Sequence, residues 1–168
     1  MKRVLAALAV LAVASPAVAL PPLQPHAAPI VLGVAGAPAP LVAQAEAAVQ
    51  AASHRKGMFL LDPPGISLTA IRACAGRADP RACLRPPLLA APRGEPTVPV
   101  HVAVLVQPAR RGLVRLTCIG AGKKPRDAAH QSILVDLQKA LSSDAAVNDA
   151  PLGAISWCVF DAMNEHLF

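Results

Sequence analysis

The chain has 168 residues, a formal net charge of +6 and a hydrophobic fraction of 54%, with three Phe, one Trp and no Tyr. That length suits one ordinary domain, but the apolar fraction overstates its core, since much of it is Ala and the aromatics are few, so the core must rest on Leu, Val and Ile. Scarce aromatics also exclude the interleaved basic and stacking side chains that hold single-stranded nucleic acid; Arg110, Arg111 and Arg115 have none nearby in sequence, so nucleic acid is not an expected partner.

Lys2 and Arg3 give a positive start, residues 4–14 are an unbroken apolar run, and Pro16 interrupts it. Ala17, Val18 and Ala19 then offer the small residues of a signal-peptidase site, so residues 1–19 read as a cleaved secretory signal and Leu20 as the mature start. The run is shorter than the ~20 residues that span a bilayer core. Later apolar stretches are broken by Pro, Arg or Asp, so no transmembrane anchor is expected after cleavage. The expected location is periplasmic or secreted. Abundant Ala, Pro and Arg is what GC-rich coding gives and points to a bacterial source.

Residues 20–40 are rich in Pro and Ala without a steady apolar period, and read as an extended tail or linker before a single α+β domain over 41–168. A helix is expected over 41–56, with Arg55 and Lys56 in its last turn and Gly57 as its left-handed cap. The short apolar run 58–61 ends at the turn Asp62-Pro63-Pro64-Gly65. A short helix follows over 67–75, stopped at Gly76, and Asp79-Pro80 opens one further turn that Pro86 and Pro87 end. Residues 85–99 form a Pro-rich connection.

Two apolar runs, 98–106 and 113–119, flank a Pro- and Gly-containing turn and predict a β-hairpin. Val100, Val102, Val104 and Val106 share one face, and His101, Ala103, Leu105 and Gln107 the other, so the first strand should be covered on both sides. Ile133, Leu134, Leu137 and Leu141 fall at helical spacing and predict a long helix over 127–141, capped by Asp127 or opened by Pro125. A polar loop follows over 142–151. Alternation of Ile155, Trp157 and Val159 favours a third β segment over 153–160, with a helix as the alternative, and a short terminal helix over 161–167. The expected fold is therefore α+β: a small disulfide-stabilised domain whose hairpin, long helix and third β segment share one core.

Four cysteines permit three pairings. Cys74 with Cys83, and Cys118 with Cys158, is the favoured set, because the first ties a helix end to the next turn and the second joins the hairpin to the last element. Cys-x-x-Cys is absent and no His stands at a ligand offset from a Cys pair, so neither redox chemistry nor a metal site is expected. Trp157 is expected to pack in the core on the neighbouring disulfide.

Gly120, Gly122, Lys123, Lys124 and Arg126 lie between an expected strand and an expected helix N-terminus. There, backbone N–H groups, a helix dipole and basic side chains could hold an anion. It lacks the Walker spacing, and a solvated basic loop is the plainer account. Arg110, Arg111 and Arg115 come from the other end of the second hairpin strand and form a separate basic group. No Gly-x-Ser-x-Gly turn presents a nucleophile; Ser53 and His54 stand near a helix end, and Asp161, Glu165 and His166 on a charged terminus. No catalytic residue is assigned, and no cofactor. These residues predict an exported, non-enzymatic protein that binds a partner protein or an anionic envelope component. Two alternatives stand beside it: a small periplasmic hydrolase using His101 or His130, and an inhibitor or accessory factor of another exported enzyme.

Overall fold

The computed structural model describes residues 24–34, 36–89, 99–120 and 130–167. Within the Pro- and Ala-rich stretch read as a tail, Ala27, Ala28, Ile30 and Leu32 are buried in strand β1 (His26–Gly33), so that reading is corrected and the folded domain starts earlier than residue 41. Pro29 is tolerated there for a topological reason. Strand β2 (Leu60–Leu61) pairs only with His26 and Ala27, so a proline beyond them breaks no ladder on that side.

Helix α1 (Ala39–Lys56) follows Pro38 and ends at Gly57, whose φ of 60° lets its N–H reach the Ser53 carbonyl at 2.9 Å. Ser53 donates its hydroxyl to the Phe59 carbonyl at 2.9 Å, fixing the bend that sends the chain into β2 and buries Phe59 completely. Helix α2 (Leu68–Cys74) leads into α3 (Pro80–Leu89). The proline pair does not stop α3 as expected: Pro86 and Pro87 lie inside it. Their φ suits a helix, and burial of Leu84 and Leu88, one turn apart, offsets the missing N–H bonds.

The hairpin stands where the two apolar runs predicted it, as β3 (Val100–Pro108) and β4 (Val114–Gly120) around a short 3-10 turn at Arg110–Gly112. Beyond it the expected helix over 127–141 is replaced by strand β5 (His130–Val135) and one turn of helix, α4 (Leu137–Ala140). Pairing with β5 satisfies the outer backbone groups of β4, which a helix over 130–135 would have left unpaired. Asp136 is the cap, its carboxylate accepting from the Gln138 and Lys139 N–H groups at 3.1 Å. The polar loop and the third β segment are also replaced, by the long helix α5 (Ala145–Leu167) with Pro151 inside it. Leu152, Ile155, Val159, Ala162 and Met163 form its buried stripe at helical spacing, while Trp157 is 54% exposed; a strand would have put Trp157 on the face of Ile155 and Val159. Trp157 therefore does not pack in the core but meets Phe160 edge-on, with ring centroids 5.7 Å apart.

The result is an α+β domain on a five-stranded mixed sheet, ordered β2-β1-β3-β4-β5, with β1 parallel to β2 and β3 and the last three strands antiparallel. One face, carrying Val102, Val104, Val106, Val114, Leu116 and Cys118, packs on α1, α4 and α5. The other face carries Ile30, Leu32, Ala103, Leu105 and Ile119 under Ile71, Cys74, Leu84 and Leu88 of α2 and α3. Disulfides join Cys74 to Cys83 and Cys118 to Cys158, the pairing favoured above, and no described cysteine is free. The first ties α2 to α3 and the second ties β4 to α5.

Candidate functional site

The second helical layer is incomplete, and this defines the site. Helices α2 and α3 cover β1, β3 and one end of β4; among the described residues nothing covers the hairpin-turn end of the same face. Side chains alternate along a strand, so Gln107 of β3, Arg115 and Thr117 of β4, and Ser132 and Leu134 of β5 share this uncovered surface. The Thr117 and Ser132 hydroxyls hydrogen-bond at 2.8 Å across the two strands, and Leu134 is 55% exposed. A concavity of about 250 Å³ runs between Arg77, at the foot of α3, and the polar strip of Gln107, Arg115, Thr117 and Ser132. A second, of about 440 Å³, adjoins it through Gln107 and Arg115 and is bordered by Arg110, Arg111 and Leu134.

Among the described residues no carboxylate lines either concavity. Among the described residues none lies within ion-pair distance of Arg77, Arg110, Arg111 or Arg115. Several described aspartates are engaged elsewhere: Asp62 with His26 at 2.6 Å, Asp149 with Lys56, Asp79 with the Ala82 N–H at the start of α3, and Asp136 and Asp144 as caps of α4 and α5. The surface is thus positive and uncompensated, a setting that attracts an acidic partner. Arg111 adds a conformational observation. It has φ 60° and ψ 36°, and it is the one non-glycine residue at positive φ among the described residues. A left-handed conformation costs a side-chain-bearing residue ~1–2 kcal/mol, which ties strain to this surface.

Of the anion loop expected from the sequence, Gly122, Lys123, Lys124 and Arg126 lie outside the described residues. Gly120 is described, and it serves packing. A Cβ on it would stand 2.9 Å from the Ala162 carbonyl carbon and closer still to the oxygen, so only glycine lets α5 approach β4 there. The loop leads into β5, and the helix whose dipole was to assist an anion is not found at 130–135. His101 is buried in β3 at 4% exposure, with neither ring nitrogen hydrogen-bonded, and burial holds its pKa below the ordinary histidine value. His130 opens β5 opposite Ile119, which itself pairs with Ala103, so a strand separates positions 101 and 130. His101 does not line the two concavities, and the side chain of His130 lies outside the described set. Ser53 is engaged with the Phe59 carbonyl, and the side chains of Glu165 and His166 lie outside the described set. Among the described residues no three His, Cys, Asp or Glu side chains gather as a metal cage, and no helix is long and apolar enough to cross a membrane.

Sequence reading missed Arg77, Gln107, Thr117, Ser132 and Leu134 as one surface. A signal for part of it was present: Arg115 and Thr117 alternate with Val114, Leu116 and Cys118, which marks one polar face on the second hairpin strand. No protein-family model matches the chain, and no curated protein or solved structure matches it either.

Proposed function

We propose that the protein is an exported, non-enzymatic binding domain that engages an acidic partner protein on the open face of its sheet. The observation that carries this reading is the set Arg77, Arg110, Arg111 and Arg115 around two adjoining concavities that no carboxylate of the described residues lines. Export is supported by the start of the sequence and by two disulfides, which persist outside a reducing compartment. Uncompensated guanidinium groups favour carboxylate partners, because the planar fork pairs with carboxylate oxygens two at a time.

The test is binding of a glutamate homopolymer to the oxidised protein at fixed ionic strength, since contacts are screened beyond ~8 Å at physiological salt. Replacing Arg77, Arg110, Arg111 and Arg115 with Gln should weaken binding at least ~10-fold. A control that removes as much charge at Arg55, Lys56, Arg72 and Lys139, described residues that line neither concavity, should weaken it much less. Equal losses would show that net charge alone is read, and would sink the assignment to this face.

A further inference from the structure

The two edges of the sheet differ in how they are protected. Edge strands usually carry a device against pairing with a foreign strand: extreme shortness, proline, or charge, especially lysine. Strand β2 has such devices, being two residues long and followed by Asp62, Pro63 and Pro64. Strand β5 has none of them. It is six residues long, and His130, Gln131, Ser132, Ile133, Leu134 and Val135 include no proline, lysine, arginine or carboxylate. Among the described residues it pairs with β4 alone, and its backbone makes no other backbone hydrogen bond.

This edge borders the arginine surface. Leu134 lies in register with Arg115, and Ser132 with Thr117, so the open face continues onto β5 and ends at its outer side. A strand added there would lie beside Ser132 and Leu134 and turn every second side chain onto the same face. Its alternate residues would then stand near Arg115, and near Arg110 and Arg111 at the hairpin end. Four arginines with no carboxylate of the described residues lining their concavities select acidic side chains at those alternate positions. The same charge disfavours a second copy of this chain, whose formal net charge of +6 becomes +4 once Lys2 and Arg3 leave with residues 1–19.

We propose that β5 is a docking strand, to which an extended polypeptide adds with acidic side chains at alternate positions facing the arginines. This rests on the reading of the arginine surface given above and deepens it: main-chain ladder bonds supply the affinity, and the acidic alternation supplies the selection.

The probe is a peptide of alternating Glu and Val, offered to the full exported, oxidised protein, with a glutamate homopolymer in parallel. Two isomers of the peptide carry N-methyl groups on one or the other alternate set of amides. An added strand turns only one set toward the edge, so at least one isomer should lose ~10-fold or more in affinity. Hydrogen exchange of amides within His130–Val135 should slow at least ~10-fold when the unmodified peptide binds. Arg115→Gln with Arg111→Gln should weaken that peptide without changing exchange in the unliganded protein. Equal binding by both isomers, with no added protection in β5, would overturn strand addition and leave the arginine surface standing. Binding of the homopolymer but not the peptide would do the same. Failure of both probes would remove both readings. Concentration-dependent dimers that protect β5 without peptide would replace the acidic partner with a second copy.

Discussion

Gly120→Ala should be among the most damaging single-methyl additions this domain can receive. Gly120 closes β4, paired with Val102, and α5 crosses it so closely that a Cβ would meet the main chain of Ala162 at 2.9 Å from its carbonyl carbon and nearer to its oxygen. A backbone neighbour cannot rotate aside. Helix α5 must instead retreat by roughly an ångström, loosening the contacts of Ile155, Val159 and Met163 in a close-packed core. It is also tethered: Cys158, one turn before Ala162, is bonded to Cys118, two residues before Gly120. With relaxation blocked, the expected loss lies at the upper end of overpacking effects, ~3 kcal/mol. For a domain of this size that corresponds to a fall in Tm of ~6–12 °C. Urea unfolding of the oxidised protein, followed by far-UV circular dichroism, would measure it. The Cys118→Ala/Cys158→Ala background adds a second readout. Opening this loop, whose cysteines are 40 residues apart, costs ~3.9 kcal/mol by chain entropy. In that background α5 can shift, so Gly120→Ala should cost ~1 kcal/mol less, a coupling that a double-mutant cycle resolves. An unchanged midpoint for Gly120→Ala would refute the close approach of α5 to β4. Equal losses in the two backgrounds would refute the tether.

Burial of His101 makes stability pH-dependent in a stated direction. Its folded pKa is lowered, so the unfolded chain binds its proton first; stability is intact above ~6.5 and declines as pH falls through the lowered folded value, by at most ~1.4 kcal/mol per pH unit. His101→Leu should flatten urea midpoints between neutral and mildly acidic pH, and an undiminished slope would remove His101 as the cause. Arg111→Gly relieves a left-handed side-chain penalty of ~1–2 kcal/mol against an entropic loss of ~0.5–1, so the protein should become more stable by up to ~1 kcal/mol while binding acidic ligands less well. A lower unfolding midpoint for that variant would contradict the strain. Intact-mass measurement of the exported protein should give a chain starting at Leu20, less one hydrogen for each of its four cysteines. A mass retaining Met1 to Ala19, or alkylation of any cysteine under denaturing conditions without reductant, would count against that account.

Elements held together by local rules were legible before the structure. Gly57 after a basic turn marks a helix end wherever the helix packs, and two β-branched runs around a Pro- and Gly-containing turn close on each other. The same local logic explains why β3 is buried on both faces over most of its length, since neither face is strictly polar. Where the period itself was ambiguous, the tertiary structure decided. Ile133, Leu134 and Leu137 suit a helix by spacing, yet the outer side of β4 offered a ladder, and Leu134 became an exposed strand residue. Ile155, Trp157 and Val159 suit a strand, yet the stripe that continues through Ala162 and Met163 closes only as a helix over the sheet. Pro29 disguised a central strand because proline is damaging only where a neighbour needs its N–H, and the length of β2 is not written near Pro29. The candidate site shows the same division. Sequence by itself determined the cysteine supply, the positive charge and the polar alternation of Arg115 with Thr117. Only the tertiary structure placed Arg77 of the α2–α3 connection beside Arg115 and left that half of the sheet uncovered, because juxtaposition across a sheet depends on strand order and register, which residues distant in sequence settle together.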